Sequence, residues 1–343
     1  MKKKKTLIWE ILFLLVVFAA TVYGVFRGQD LGENLRILRQ VEKAWLIPAV
    51  LCVIFFVWGE SIIIYYMMGT LSVRLKKWTC FLFSSIGFFY SCITPSASGG
   101  QPAQIYYMHR KGISVPVSTL VLMVVTITYK AVLVFIGLGL VVFGQGFLHE
   151  YLQGALPVFY LGIGLNVICV AALVVLVFHT SLAEAIMSKG LTLLERLHLL
   201  RRKESRREKL ASGMEKYRET AQYFKTHKHV VIHVLLITFA QRFALFLSTY
   251  FVYRAFGLQG ASVVTVTLLQ ASISVAVDML PLPGGMGISE KLFLTVFASV
   301  FGGQLLLLGM ILSRGLSYYT QLLLCALLTL YAHFTMRERH PVV

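Results

Sequence analysis

Charge is scarce in this chain. Only 14% of its 343 residues are Asp, Glu, Lys or Arg, 57% are hydrophobic, and the mean hydropathy is +0.76. That balance excludes an ordinary soluble domain, whose surface needs far more charge. The five cysteines (Cys52, Cys80, Cys92, Cys169 and Cys325) fall in apolar segments without paired or metal-ligand spacing, which argues against a disulfide framework or a zinc site. Period-2 alternation is missing, and with it the membrane barrel. There is no Gly-x-x-x-x-Gly-Lys-Ser/Thr phosphate loop, so ATP drive within this chain is not expected; His-Glu-x-x-His and Gly-x-Ser-x-Gly are missing too. No polar segment is long enough for a catalytic domain. The expectation is a protein that is not an enzyme and needs no cofactor and no metal. Proline is also rare, at eight residues, and four of the eight (Pro95, Pro102, Pro281 and Pro283) crowd into two short stretches.

What the chain has is apolar runs longer than the roughly 20 residues that span a bilayer. The fold class expected is an all-α polytopic membrane protein in one integral domain, 1–343. Six full spans are predicted, at about 7–26, 45–68, 115–143, 157–178, 229–252 and 305–332. Lys2 to Lys5 precede the first run. No small-x-small cleavage site follows it, so a retained signal-anchor is expected. A basic segment at 181–228 separates a first half, about 1–178, from a second, about 229–335.

The formal net charge of +17 invites a nucleic-acid reading, but its distribution argues otherwise. Of 32 Lys and Arg, 23 fall on the side shared with Lys2 to Lys5, five on the other, and four inside the membrane: Lys130, Arg242, Lys291 and Arg314. Positive charge here sets topology and attracts the inner leaflet. Both termini are therefore expected in the cytoplasm of a bacterial-type plasma membrane, with no nucleic-acid partner.

The organising features are two polar interruptions. Residues 94–102 read Thr-Pro-Ser-Ala-Ser-Gly-Gly-Gln-Pro, and 281–287 read Pro-Leu-Pro-Gly-Gly-Met-Gly. Pro95, Gly99, Gly100 and Pro102 break the first; Pro281, Pro283, Gly284, Gly285 and Gly287 break the second. Such backbone cannot continue a helix, and hydrocarbon offers its freed groups no partners. It must be buried in protein or line a wet cavity. The arms flanking each break are short: the one from Thr79 reaches about 24 Å, less than the roughly 30 Å core. The economical solution is two re-entrant hairpins, 79–110 and 263–300. The flanking basic residues place their feet on opposite faces, which suggests an inverted repeat. Paired interrupted segments in two halves mark a transporter's substrate site.

Helix restarts at about Gln101-Pro102 and Ile288-Ser289 aim free N–H groups and a positive dipole end into the membrane. Ser96, Ser98, Gln101 and Ser289 can add polar contacts. Such places favour an anion, and lipid phosphate is the commonest anion at a membrane. Lys130, Arg242 and Arg314 fall near mid-span, where each costs roughly 2.5–3.5 kcal/mol unless it faces partners or water. Glu60, Asp278 and Glu290 are their acidic counterparts, open to ion pairing, a cationic headgroup, proton carriage or hairpin anchoring.

At the breaks the sequence resembles the membrane region of the lysylphosphatidylglycerol synthase/flippase proteins of the multiple peptide resistance factor type. The residues that carry the likeness are 94–108, Lys111-Gly-Ile, and 278–290 (Asp-Met-Leu-Pro-Leu-Pro-Gly-Gly-Met-Gly-Ile-Ser-Glu). Many relatives carry Gly-Glu and a nearby Arg in the first motif; here Gln101 and Gln104 stand instead. The resemblance implies translocation of an anionic or aminoacylated phospholipid, or another polar lipid, between leaflets. It also implies membrane phospholipids as partners and a separate lipid synthase as supplier; an oligomer is left open by the sequence. The chain ends just after its last span, so the soluble aminoacyltransferase domain of two-domain members is expected to be missing. A membrane enzyme of lipid or lipid-linked sugar metabolism and a small-solute transporter are the alternative readings.

Overall fold

The structure is a computed structural model that describes residues 31–196 and 204–336. The predicted first span, 7–26, the basic tail at 337–339 and part of the basic segment lie outside the described residues. The described chain is helical. α1 (Leu31–Gln40) leads into α2 (Lys43–Thr70). α3 (Lys77–Ile93) and α4 (Gly100–Arg110) form the first hairpin, followed by α5 (Val115–Phe143), the short α6 (Gln145–Tyr151) and α7 (Leu156–Phe178). α8 (Thr180–Arg196) and α9 (Glu204–Thr226) make up the basic segment before α10 (Lys228–Ala255). α11 (Val263–Val277), α12 (Ile288–Val296) and α13 (Ala298–Phe301) form the second hairpin. α14 (Gly303–Arg314) and α15 (Thr320–Thr335) close the chain.

Five helical runs among the described residues are long and apolar enough to cross a membrane: Lys43–Thr70, Val115–Phe143, Gln153–Phe178, Lys228–Ala255 and Gly303–Thr335. They coincide with the five predicted spans that the described residues contain. The protein is thus a multi-pass, all-α membrane protein. Two local details differ from the sequence reading. The first return arm begins at Gly100, ahead of Gln101, because the break spends fewer residues than its composition suggests. The last span is not a uniform α-helix: Gly315–Tyr319 is a π-helical turn directly after Arg314. Such inserted turns re-aim side chains within a helix and recur at functional positions.

The long helices α2 and α10 run antiparallel. The Glu42 amide donates to the Ala255 carbonyl at 3.0 Å at one end, and the Tyr66 hydroxyl meets His233 Nδ1 at 3.0 Å near the other. This pair fixes two ends of the bundle. Both feet of the first hairpin stand beside the end of α15: Trp78 packs on Tyr331, with ring centroids 6.3 Å apart in an edge contact, and Tyr107 meets His333. The same end holds Phe224, Val230 and Met336 in one apolar cluster with Tyr107 and Met108. Both feet of the second hairpin stand at the opposite end, beside the C-terminus of α10. There the Ala261 amide donates to the Tyr253 hydroxyl at 2.8 Å, and Phe301 packs edge-on to Tyr253 and Phe256. The hairpins are therefore re-entrant and enter from opposite ends.

Their tips repeat one conformation. Pro95–Ala97 and Pro283–Gly285 are each one 3-10 turn with proline leading. Thr94 and Leu282 before them are extended (φ −116° and −121°), and the second residues are left-handed (Ser96 φ 49°, Gly284 φ 56°). Beyond the tips, the restarts begin at residues 100 and 288 and the next long helices at 115 and 303, a register shift of 188 in both cases. α2 and α10 both have 28 residues. The inverted repeat is thus present in backbone conformation, although the two motifs share little sequence.

Candidate functional site

The two tips meet in the middle of the bundle. Ser96 Oγ donates to the Leu280 carbonyl at 3.3 Å, and the Tyr318 hydroxyl donates to the Cys92 carbonyl at 3.0 Å. Carbonyls freed by each break are thus taken up by the other half of the protein, as apolar surroundings require.

A cavity of about 320 Å³ opens beside the first tip. Hairpin residues Ser91, Ser96, Ser98, Gln101 and Gln104 form one wall. α5 supplies Thr126, Tyr129 and Lys130, α2 supplies Glu60, and the second hairpin supplies Asp278. Cys169 and Leu173 of α7 close the remaining side. Next to them on α7, Val167, Ile168 and Val175 are exposed, so the cavity lies behind a helix whose outer face suits lipid.

Asp278, where α11 ends, joins three elements. It accepts from Lys130 Nζ at 2.7 Å and from Arg242 Nη2 at 3.4 Å. Arg242 also lies over the Tyr129 ring, 3.5 Å from its centroid, and donates to the Tyr129 hydroxyl at 2.8 Å. An arginine at mid-span is tolerable because it has a carboxylate, a hydroxyl and an aromatic face around it. Two cations and one carboxylate leave this triad with a formal charge of +1.

Glu60 is different. Its carboxylate is buried at 8% exposure, and its partner is an amide: Gln104 Nε2 donates to it at 2.7 Å. Gln104 is held by a second bond to the Phe83 carbonyl, and the lack of a side chain at Gly87 makes room for it. Gln101 donates to Thr126 Oγ1 and to the Leu122 carbonyl. The donors at the first restart are few. The Gly99 amide already donates to Thr94 Oγ1 at 2.8 Å, and Pro102 has none.

The second restart carries its own anion. Glu290 accepts from the Gly287 amide at 2.6 Å and from Arg314 Nε at 2.9 Å, while Arg314 Nη2 reaches the Gly284 carbonyl at 3.0 Å. Arg314 thus braces the second tip. Ser289 is buried beside it.

Of the ten polar residues singled out from sequence, Glu60, Ser96, Ser98, Gln101, Lys130 and Asp278 line the cavity, and Arg242 backs it through Asp278. Ser289, Glu290 and Arg314 form a separate cluster behind the second tip. Each of the three cations is paired with a carboxylate in this structure, so none offers a bare phosphate site. Sequence reasoning passed over Thr126 and Tyr129, and it noted Gln104 in the first motif without giving it a place in the site. Neutral residues in an apolar run carry little signal, although Tyr129 neighbours Lys130 and Gln104 stands one helical turn after Gln101.

Residues 7–325 match the family described as the lysylphosphatidylglycerol synthase TM region. No curated protein matches the chain.

Proposed function

The chain belongs to the lysylphosphatidylglycerol synthase transmembrane-region family, and from that membership we propose that it translocates a polar lipid between leaflets. The observation that carries the reading is the cavity beside the first tip. It is polar and charged within and has a lipid-suited helix, α7, as its outer wall. A headgroup lodges among the tip hydroxyls, Gln101 and the Lys130–Asp278 pair, while the acyl chains stay in the bilayer along α7. The opposed tips separate the two ends of the bundle, so exchange of the headgroup between ends requires the tips to part. The end bearing α8 and α9 faces the cytoplasm of the cell membrane, where their basic residues meet anionic lipid. Nothing in this reading requires chemical conversion of the lipid, and an aminoacylated lipid comes from a separate synthase.

The test is a leaflet-resolved assay with purified protein in vesicles of defined lipid. Fluorescent phosphatidylglycerol analogues should become accessible to an impermeant quencher faster than in protein-free vesicles, and Gln101→Ala, a change in the cavity wall that leaves the ion pairs intact, should reduce the gain. Equal rates with and without protein defeat the proposal. Conversion of the lipid to a new species would instead favour an enzyme.

A further inference from the structure

Glu60 has no task in the packing that the other buried charges have. Asp278 and Glu290 each hold cations; Glu60 holds one amide, and no Lys, Arg or His stands within ion-pair distance of it among the described residues. The titratable groups that line the cavity with it are Tyr129 and Lys130 on α5 and Asp278 at the end of α11, with Arg242 on α10 behind them, bonded to Tyr129 and Asp278. Cys325 on α15 packs with Phe56 and Val57 of α2 and Phe88 of α3, and Cys92 on α3 packs with Tyr318 on the π-turn. Both cations in this set are committed to Asp278. An ionised carboxylate withdrawn from water without a cation is costly, and taking up a proton removes that cost.

The charge count of the cavity gives this a direction. With Glu60 ionised, its −1 balances the +1 of the Lys130–Arg242–Asp278 triad and the site is neutral. Protonation leaves the triad's +1 exposed to the cavity, and a headgroup carrying one negative charge restores neutrality. We propose that Glu60 is a proton-binding site coupled to an anionic headgroup: the cavity loads one proton and one singly charged phosphodiester together. The proton comes from water entering the cavity, sits on one oxygen of the Glu60 carboxylate while Gln104 continues to donate to the other, and returns to water when the lipid leaves. No net charge is carried through the low-dielectric centre, which is where charge movement costs most. This inference rests on the translocation reading for its purpose, and its test is chosen to stand apart from it.

The test is calorimetric titration of the detergent-purified full chain with dihexanoyl-phosphatidylglycerol, in two buffers of equal pH and different ionisation enthalpy. The difference in heat reads protons taken up per lipid bound. Wild type should take up about one proton and bind at least about tenfold more tightly at about pH 5.5 than at about pH 8.5. Glu60→Gln, which keeps the bond geometry and abolishes the charge, should bind with no proton uptake and no such pH dependence. The idea is overturned if wild type binds this lipid without proton uptake, if Glu60→Gln retains the uptake, or if an ammonium-bearing lipid binds in its place and loses affinity in Glu60→Gln, which marks a cation site. Absence of binding by every probe overturns it as well. Coupled binding without movement in the vesicle assay defeats translocation and leaves the proton site standing; movement without proton uptake does the reverse.

Discussion

The two hairpin tips have the same backbone and opposite dressing. At the second tip, Arg314 ties Glu290 to the Gly284 carbonyl, Glu290 caps the restart, and Asp278 is held by two cations. At the first, the restart is held by neutral groups: Thr94 on Gly99, Gln101 on Thr126 and Gln104 on Phe83. Residue 314 corresponds to residue 126 in the 188-residue register shift, so an arginine braces one half where a threonine stands in the other. Charge-assisted bonds in a dry site hold geometry more firmly than neutral ones. The difference teaches that one structural device, used twice, serves as a strut in one half and as the wall of a polar cavity in the other. In this comparison the first tip is the one held by neutral bonds and the second the one held by charge-assisted bonds.

The sharpest way to break this comparison is to discharge the strut. Asp278→Ala leaves Lys130 and Arg242 buried without a counter-ion and should cost about 3–5 kcal/mol, read as loss of folded protein in a detergent thermal-melt assay. Glu290→Gln, which weakens the hold on Arg314 and the cap on Gly287, should cost about 2–3 kcal/mol in the same assay. The matching change at the first tip, Gln101→Ala, should cost only about 1 kcal/mol. Equal losses for Glu290→Gln and Gln101→Ala would mean that the tips are equally braced. Gly284→Ala should destabilise by about 1–3 kcal/mol, because φ is 56° there and a new Cβ meets the Tyr318 ring. Smallest and opposite in sign, Ala97→Gly relieves a left-handed alanine, φ 55°, and should raise stability by up to about 1 kcal/mol. A fall in melting temperature there would show that the first tip is held by more than its backbone.

The same pair of tips marks how far the sequence could be read. Pro95 with Gly99 and Gly100, and Pro283 with Gly284 and Gly285, announce both breaks, because proline and glycine act on the local chain wherever they stand. Yet the left-handed pair is Ser96-Ala97 in one half and Gly284-Gly285 in the other. Aligning glycine with glycine therefore misplaces the repeat, and surrounding structure had to force two ordinary residues into a glycine-like conformation. The partners of the buried charges were equally hidden. Lys130 and Asp278 lie 148 positions apart, and Arg242 reaches both through a carboxylate and a tyrosine from other helices.

What the sequence by itself determined is the membrane class, the spans among the described residues, the two interruptions and the roster of inward charges, apart from Lys291, which α12 turns outward to an exposed position. Each follows from local composition: an apolar run must leave water, and a helix breaker must break. Only the tertiary structure decided that Glu60 meets an amide while Asp278 meets two cations, and that Arg314 braces a tip. It also decided that the cavity lies against the first hairpin rather than between the two. Those outcomes depend on which side chains share a few ångströms of low-dielectric space, where the energy of a charge is set by its neighbours and not by its place in the chain.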